Sequence, residues 1–219
     1  MTEINNYYEG KKGYGISKRR LSAILFLLGD IKDKKIIDIG CGNGYLGKVL
    51  KEKKAVVHGC DISNDAVNQA EKELDKAFQF DVSSNNFKKI EKKYDIIINT
   101  ELIEHLLQPE KFLENLKKIL KPDGFIVLTT PNFLMWSNRI KMFFGKFEYR
   151  ETGFWDRGHI HFFTYYSLKK TLKNLGYKIV EEKNIPYRCP KILAKIIPGL
   201  FVFQMVFKIE LEKNESENK

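Results

Sequence analysis

The apolar positions of this chain switch between two spacings, and the switch predicts its elements. From Ser17 to Asp30 they fall at Leu21, Ile24, Leu25 and Leu28, the stripe of one helical face. Short runs of strand-forming residues follow at Lys35 to Ile39, Ala55 to Cys60, Ala77 to Val82, Tyr94 to Asn99 and Phe125 to Thr130. The turn Lys121-Pro-Asp-Gly opens the last of them. Helical spacing returns between the runs, most clearly over Asp65 to Leu74 and over Pro109 to Leu120. In the second, Pro109 suits a first helical turn, and Phe112, Leu113, Leu116, Ile119 and Leu120 form the stripe to be buried. Strands alternating with helices predict a parallel sheet, because parallel neighbours need crossover connections, and right-handed crossovers place helices on both faces. The expected fold is therefore α/β and doubly wound.

After Pro131 the rhythm changes. Phe133 to Phe147 has the pattern of an amphipathic helix, Ser167 to Leu175 that of another, and Lys178 to Lys183 and Leu200 to Glu210 read as two more strands, seven in all. Residues from about 132 to 165 then form an insertion near the strand ends, where such sheets bind ligands. The expected organisation is an N-terminal helical segment over 1–30, a main domain over 31–210, and a polar, disordered tail over 211–219. No internal repeat interrupts this plan.

A length of 219 residues suits one domain with its own core, and 43% hydrophobic with 30% charged residues places the chain in the soluble globular class rather than among disordered chains. No apolar run approaches the roughly 18 residues of a membrane span. Met1 to Gly15 is polar and has no signal-peptide pattern, so the expected location is cytoplasmic. The three cysteines, Cys41, Cys60 and Cys189, are odd in number and lack C-x-x-C spacing, which predicts neither a disulfide framework nor a metal site. A formal charge of +10 favours an anionic partner, although the lysines are spread evenly along the chain.

The chemistry concentrates in "IIDIGCGNGYLG", residues 36–47. Read from Gly42 it is G-x-G-x-x-G, a dinucleotide fingerprint; read from Asp38 it is D-x-G-x-G-x-G. Glycines between a strand and a helix let backbone approach a ligand closely in either reading, and Gly47 can serve simply as a packing position on the next helix. Asp38 discriminates between them. A carboxylate on the ligand side of the loop repels a pyrophosphate but suits an ammonium or a sulfonium. Asp61, ending the second strand, can accept from both hydroxyls of a ribose, and Asp81, ending the third, stands where an acceptor could meet an adenine amino group.

With these residues in place the chain resembles the class I S-adenosylmethionine-dependent methyltransferases. "DIGCGNG" looks like their first motif, "GCDIS" their acidic ribose position, "FDV" their adenine position, "YDIIINTELIEHL" their fourth-strand motif and "LKPDGFIVLTTPN" their fifth strand. The resemblance covers about residues 30 to 185 and implies a Rossmann-like fold with a mostly parallel sheet of seven strands. The "GHIHFFT" element before "SLKKTLKNLGY" resembles small-molecule O-methyltransferases of ubiquinone biosynthesis and of sugar and polysaccharide modification. By that resemblance Asp38, Gly40, Cys41, Gly42 and Asn43 lie along the methionine part of the cofactor. Asp61 and Ile62 take the ribose, Asp81 and Val82 the adenine, and Thr100, Glu101 and Leu102 the cofactor's open side. The implied reaction is methyl transfer to a small-molecule acceptor, oxygen-directed, such as a sugar, an isoprenoid-linked compound or a natural product.

A hydroxyl acceptor benefits from a base, and histidine has the ordinary pKa for that work. His58 lies inside the second strand and reads as structural. His105 follows Glu101 and Glu104 after the fourth strand, at the ligand edge. His159 and His161 flank Ile160, so in an extended segment both point to one side. Each of these three is a catalytic candidate, with backbone hydrogen bonding that pins the insertion as the alternative. The aromatic, basic stretch "FLMWSNRIKMFFGKFEY" reads as a lid, as a plain core helix or as an amphipathic helix resting on an anionic membrane, and "YRCPKILAKIIPGLFVFQMVFK" shares the last possibility through Lys191 and Lys195.

Rival functions fit less well. An exocyclic-amine nucleic-acid enzyme would show an Asn/Asp-Pro-Pro-aromatic motif where this chain has Asn99-Thr-Glu-Leu, and a cytosine-C5 enzyme needs a cysteine nucleophile near there. A tRNA methyltransferase and a non-catalytic cofactor-binding partner subunit stand as alternatives; a dehydrogenase is disfavoured by Asp38.

Overall fold

A computed structural model describes residues 15–212, apart from 85, 86, 88, 89, 91, 92, 151, 152 and 154. The first part of the N-terminal segment and nearly all of the polar tail lie outside the described residues. Helix α1 (Lys18–Leu28) is opened by Ser17, whose side chain accepts from Arg20 N at 3.2 Å, and closed by Gly29 in a left-handed conformation. It buries Ala23, Ile24, Leu27 and Leu28, with Leu21 and Leu25 only half-buried, so the buried face is turned slightly from the predicted stripe.

Five parallel strands follow: β1 (Lys35–Ile39), β2 (Val56–Asp61), β3 (Lys76–Gln79), β4 (Tyr94–Thr100) and β5 (Leu120–Pro131). Helices α2 (Tyr45–Glu52), α3 (Asn64–Ala70) and α4 (Pro109–Ile119) connect them. Beyond β5 come α5 (Trp136–Phe143), α6 (Tyr165–Asn174), β6 (Tyr177–Glu182), β7 (Ile185–Pro186), α7 (Lys191–Ile196), α8 (Pro198–Phe201) and β8 (Val202–Leu211). The sheet runs β3-β2-β1-β4-β5-β8-β6, with β8 antiparallel to both neighbours and β7 paired to it. There are eight strands among the described residues rather than seven, because β7 is too short to leave a period-2 pattern. Lys121-Pro-Asp-Gly is not a separate turn; it is drawn into the start of β5, where the ladder to β4 slips between Tyr94 and Ile96. The predicted helix over Phe133 to Phe147 shortens to α5, and α6 starts earlier than predicted because Thr164 caps it in a reciprocal box with Ser167.

Adjacent strand residues diverge onto two cores. Ile37 and Ile97 pack with α4 and α6, whereas Ile36, Ile96 and Ile98 pack with α1, α2 and α3. All five are essentially inaccessible, each burial contributing about 1.5–3 kcal/mol. Leu74 fills space that two glycines leave open. A Cβ at Gly47 would fall 2.3 Å from Leu74 Cδ2, and one at Gly59 would fall 2.4 Å from Leu74 Cδ1 and 2.8 Å from Cys41 Sγ. Gly47 is thus a packing glycine, not a ligand-facing one. The strand order reverses between β1 and β4, which opens a crevice beyond their C-terminal ends.

Candidate active site

That crevice is a cavity of about 840 Å³. The loop after β1 forms its floor, and Gly40, Gly42 and Gly44 all adopt positive φ. A side chain at Gly44 would press on Ala70, its Cβ 3.0 Å from Cα of that residue, so glycine is required by both conformation and space. Gly40 N and Cys41 N donate to Cys60 O at 2.8 and 3.0 Å, and Asn43 Oδ1 accepts from Tyr45 N at 3.2 Å to start α2. Asp61 ties this loop to the next: Oδ2 accepts from Gly42 N at 2.9 Å and Oδ1 from Ser63 N at 3.0 Å. Burial pushes the Cys41 and Cys60 thiols well above the ordinary range, and the nearby Asp38 and Asp61 charges push in the same direction, so neither is a nucleophile.

Asp38 is buried at the end of β1, and its Oδ1 has no hydrogen-bond partner. Desolvation, followed by the charge of Asp61, raises its carboxyl to about 7. An orphaned acidic oxygen at a cavity wall asks for a cationic or donating ligand. Ile62, Asp81 and Val82 line the same end, with Asp81 Oδ1 accepting from Ser83 N at 2.8 Å. Thr100, Glu101 and Leu102 line the opposite wall, Leu102 lying under Gly40. Glu101 is held at φ 51, a conformation that costs a non-glycine residue about 1 kcal/mol or more. Its carboxylate accepts from Thr129 Oγ1 at 2.8 Å and from Gln204 Nε2, and it pairs with Arg20 at 2.9 Å. All twelve residues expected to touch a cofactor therefore border one cavity.

The far end carries different groups. His105 and His159 meet edge to face with ring centroids 4.6 Å apart. Gly158 O accepts from His105 Nδ1 at 2.8 Å, which assigns the proton of the neutral ring to Nδ1 and the basic lone pair to Nε2. Behind them Glu104 is buried, with Oε2 accepting from Thr130 Oγ1 at 2.8 Å and Oε1 4.0 Å from His159 Nε2. Burial, then the charge of Glu101, holds the Glu104 carboxyl well above the usual carboxylate range. The donor atoms of Glu104, His105 and His159 lie within 4.8 Å of one another, a set that could hold a metal ion where composition suggested none.

His161 departs from expectation. Glu104 O accepts from both Ile160 N (3.0 Å) and His161 N (2.9 Å), so the segment kinks around one carbonyl and strand-like alternation fails. His159 faces the cavity. His161 instead stacks on Phe163, reaches toward Leu107 O at 3.3 Å and does not border the cavity. His58 lies 2.9 Å from Tyr94 Oη inside the sheet, in keeping with a structural role. Arg20, Asp156, Tyr187 and Gln204 also line the cavity and were missed in sequence. None of the four left a signal there; Arg20 follows Lys18 and Arg19 in a basic first turn and reads as one of a solvated run. Among the described residues no helix is long and apolar enough to cross a membrane.

Comparison with known proteins agrees with this geometry. A family profile described as a methyltransferase domain matches residues 15–182. The ubiquinone biosynthesis O-methyltransferase of Pelagibacter ubique is 32% identical over 105 residues, covering 47% of this chain and 44% of that protein. The protein of the same name from Bartonella bacilliformis is 27% identical over 166 residues, covering 74% and 67%. The chain spans about half the length of the first such relatives. Among solved structures, magnesium protoporphyrin IX methyltransferase from Synechocystis with bound SAH superposes with a TM-score of 0.67 at 15% identity, covering 96% of this chain and 98% of that one, a likeness of fold. With the profile matched over most of its length, the chain belongs to the methyltransferase-domain family, and its fold is that of the S-adenosylmethionine-dependent methyltransferases it superposes on.

Proposed function

We propose that this enzyme methylates a hydroxyl group of a small-molecule acceptor, with His105 as the base that takes the hydroxyl proton. The observation that carries the reading is the opposed chemistry of the cavity's two ends: unpartnered or accepting carboxylates at one, paired imidazoles at the other. The residues present fit the cofactor. Asp38 would receive its ammonium, with Gly40, Cys41, Gly42 and Asn43 along the methionine part. Asp61 and Ile62 would take the ribose, Asp81 and Val82 the adenine, and Thr100, Glu101 and Leu102 the open side. When bound, the cofactor supplies a methyl carbon on a positively charged sulfur, open to in-line displacement.

The chain's own work is alignment and proton removal. His105 is oriented by Gly158 O, so Nε2 accepts the acceptor's proton as the new carbon–oxygen bond forms. His159, edge-on to that ring and backed by Glu104, restrains its tilt. A cavity of about 840 Å³ is near the upper end of the roughly 300–1,000 Å³ of ligand pockets, enough for a cofactor and an acceptor side by side. The likeness to ubiquinone biosynthesis O-methyltransferases supports oxygen as the nucleophile.

A calorimetric titration with S-adenosylhomocysteine beside NADH, followed by transfer of a labelled methyl group to a panel of phenols, sugars and amines, tests this. Binding of S-adenosylhomocysteine alone, with label on hydroxylated acceptors only, is the expected result. Label on amines but no hydroxyl compound would overturn it.

A further inference from the structure

We infer that the end of the molecule carrying α5, α7 and α8 is a docking surface for an anionic lipid bilayer. Eight of the fifteen large apolar side chains exposed among the described residues lie on these helices or just after α5 and α7. Phe143 is 84% exposed, Phe144 69%, Ile196 66% and Ile192 60%, with Ile140, Phe147, Tyr149 and Ile197 also exposed. Apolar side chains this open cluster where a partner covers them.

Charge selects the partner. The stretches 124–147 and 183–209 contain no Asp or Glu, although the chain has 28 such residues. Arg139, Lys141 and Lys146 lie in the first, and Arg188, Lys191 and Lys195 in the second; all six are exposed. Aromatic and aliphatic side chains interleaved with six cations, the exposed Glu148 being the one acid beside them, match the anionic headgroup and acyl boundary of a bilayer rather than an acidic protein, which would leave the phenylalanines unmatched.

The two stretches share one rim. Helix α5 leaves the end of β5, α7 and α8 lead into β8, and those strands pair there through Pro131 and Gln204. Asn132 Nδ2 donates to Gly199 O and Val202 O, and Trp136 Nε1 donates to Tyr187 O at 3.2 Å. Tyr187 and Asp156, from the segments beside these helices, line the active-site cavity. The docking face thus borders the mouth, where an acceptor dissolved in the membrane could enter. Docking stands on exposure and charge alone, so it does not depend on the proposed acceptor chemistry.

The test is sedimentation of the full chain with phosphatidylcholine vesicles, with and without an equimolar share of phosphatidylglycerol. Binding is expected only with phosphatidylglycerol, weakening as salt is raised. Phe143→Ser with Phe144→Ser should lower partitioning about tenfold or more, and Lys191→Glu with Lys195→Glu by at least about fivefold per charge removed. Titration with S-adenosylhomocysteine serves as the folding check for each variant. Three results would overturn the inference: no cosedimentation with either vesicle, variants that bind like the parent chain, or a wild-type dimer in analytical ultracentrifugation that the phenylalanine changes dissociate while vesicles bind neither form.

Discussion

The two ends of the cavity are built in different ways. The end we propose for the cofactor uses Asp38, the glycine loop and Asp61, which are close in sequence and brought together by neighbouring strands β1 and β2; most of its bonds run to backbone amides. The end we propose for the acceptor gathers Glu104 and His105 after β4, Asp156 and His159 from the insertion, and Tyr187 and Gln204 near β8. Its contacts are side chain to side chain or reach across more than fifty residues. A backbone cradle can hold an invariant ligand while the other wall is rebuilt for each acceptor. It follows that the two ends should fail separately when mutated.

The largest expected effect breaks the acceptor end alone. His105→Asn can still donate to Gly158 O but has no basic nitrogen, so turnover should fall about 10²–10⁴-fold while S-adenosylhomocysteine binds as before. Calorimetry and a single-turnover assay on the same sample check this. Unchanged turnover would remove His105 from the chemistry, and equal loss of cofactor affinity would show that the two ends are not separable.

Asp61→Ala breaks the other end. Two hydrogen bonds to a charged acceptor, worth about 1.5–3 kcal/mol each, would be lost to the ligand, weakening S-adenosylhomocysteine by about 10²–10⁴-fold. The same change strands the amides of Gly42 and Ser63, so a lower unfolding temperature should accompany it. Affinity within a few-fold of the parent chain would refute the ribose assignment.

A third test sharpens the comparison through pH. Because burial lifts the Asp38 carboxyl from 3.8 to about 7, the folded chain keeps a proton that the unfolded chain has already lost. The stability it contributes is complete below 3.8 and is lost as pH rises through about 7. A ligand ammonium favours the ionised form instead and must displace that proton. Affinity for S-adenosylhomocysteine should therefore rise about tenfold per pH unit toward 7 and then level, with proton release visible in buffers of different ionisation heat. Asp38→Asn should bind with a flat profile. A flat profile in the parent chain would mean that Asp38 does not meet the ammonium.

The same contrast explains what the sequence made legible. Asp38, the glycines and Asp61 could be found because their geometry is local: strand, turn, helix, with one register step to the next strand. The parallel core was legible for the same reason, since each strand and crossover carries its own period. Gln204 and Arg20 could not be found, because they reach Glu101 only through the placement of β8 and of α1 against the sheet. Strand β7 and the capping of α6 by Thr164 depend on two or three residues each, too few for any periodicity. Glu104 stood in plain view between Leu102 and His105, but its burial is a tertiary fact.

The smallest expected effect is the most discriminating for the insertion. Alternation places His159 and His161 on one side; the shared carbonyl of Glu104 separates them. His161 is tied to Phe163 and to Leu107 O and does not border the cavity, so the loss of its ring stacking contact costs about 0.5–1.5 kcal/mol of stability and removes no wall of the cavity. His161→Ala should therefore keep turnover within about twofold and shift only the unfolding midpoint, whereas His159→Ala, which removes a wall of the cavity and the neighbour of His105, should lower turnover at unchanged cofactor affinity. If His161→Ala proves as damaging to turnover as His159→Ala, the two histidines face one environment after all, and the kink at Ile160 would have to open when the acceptor binds.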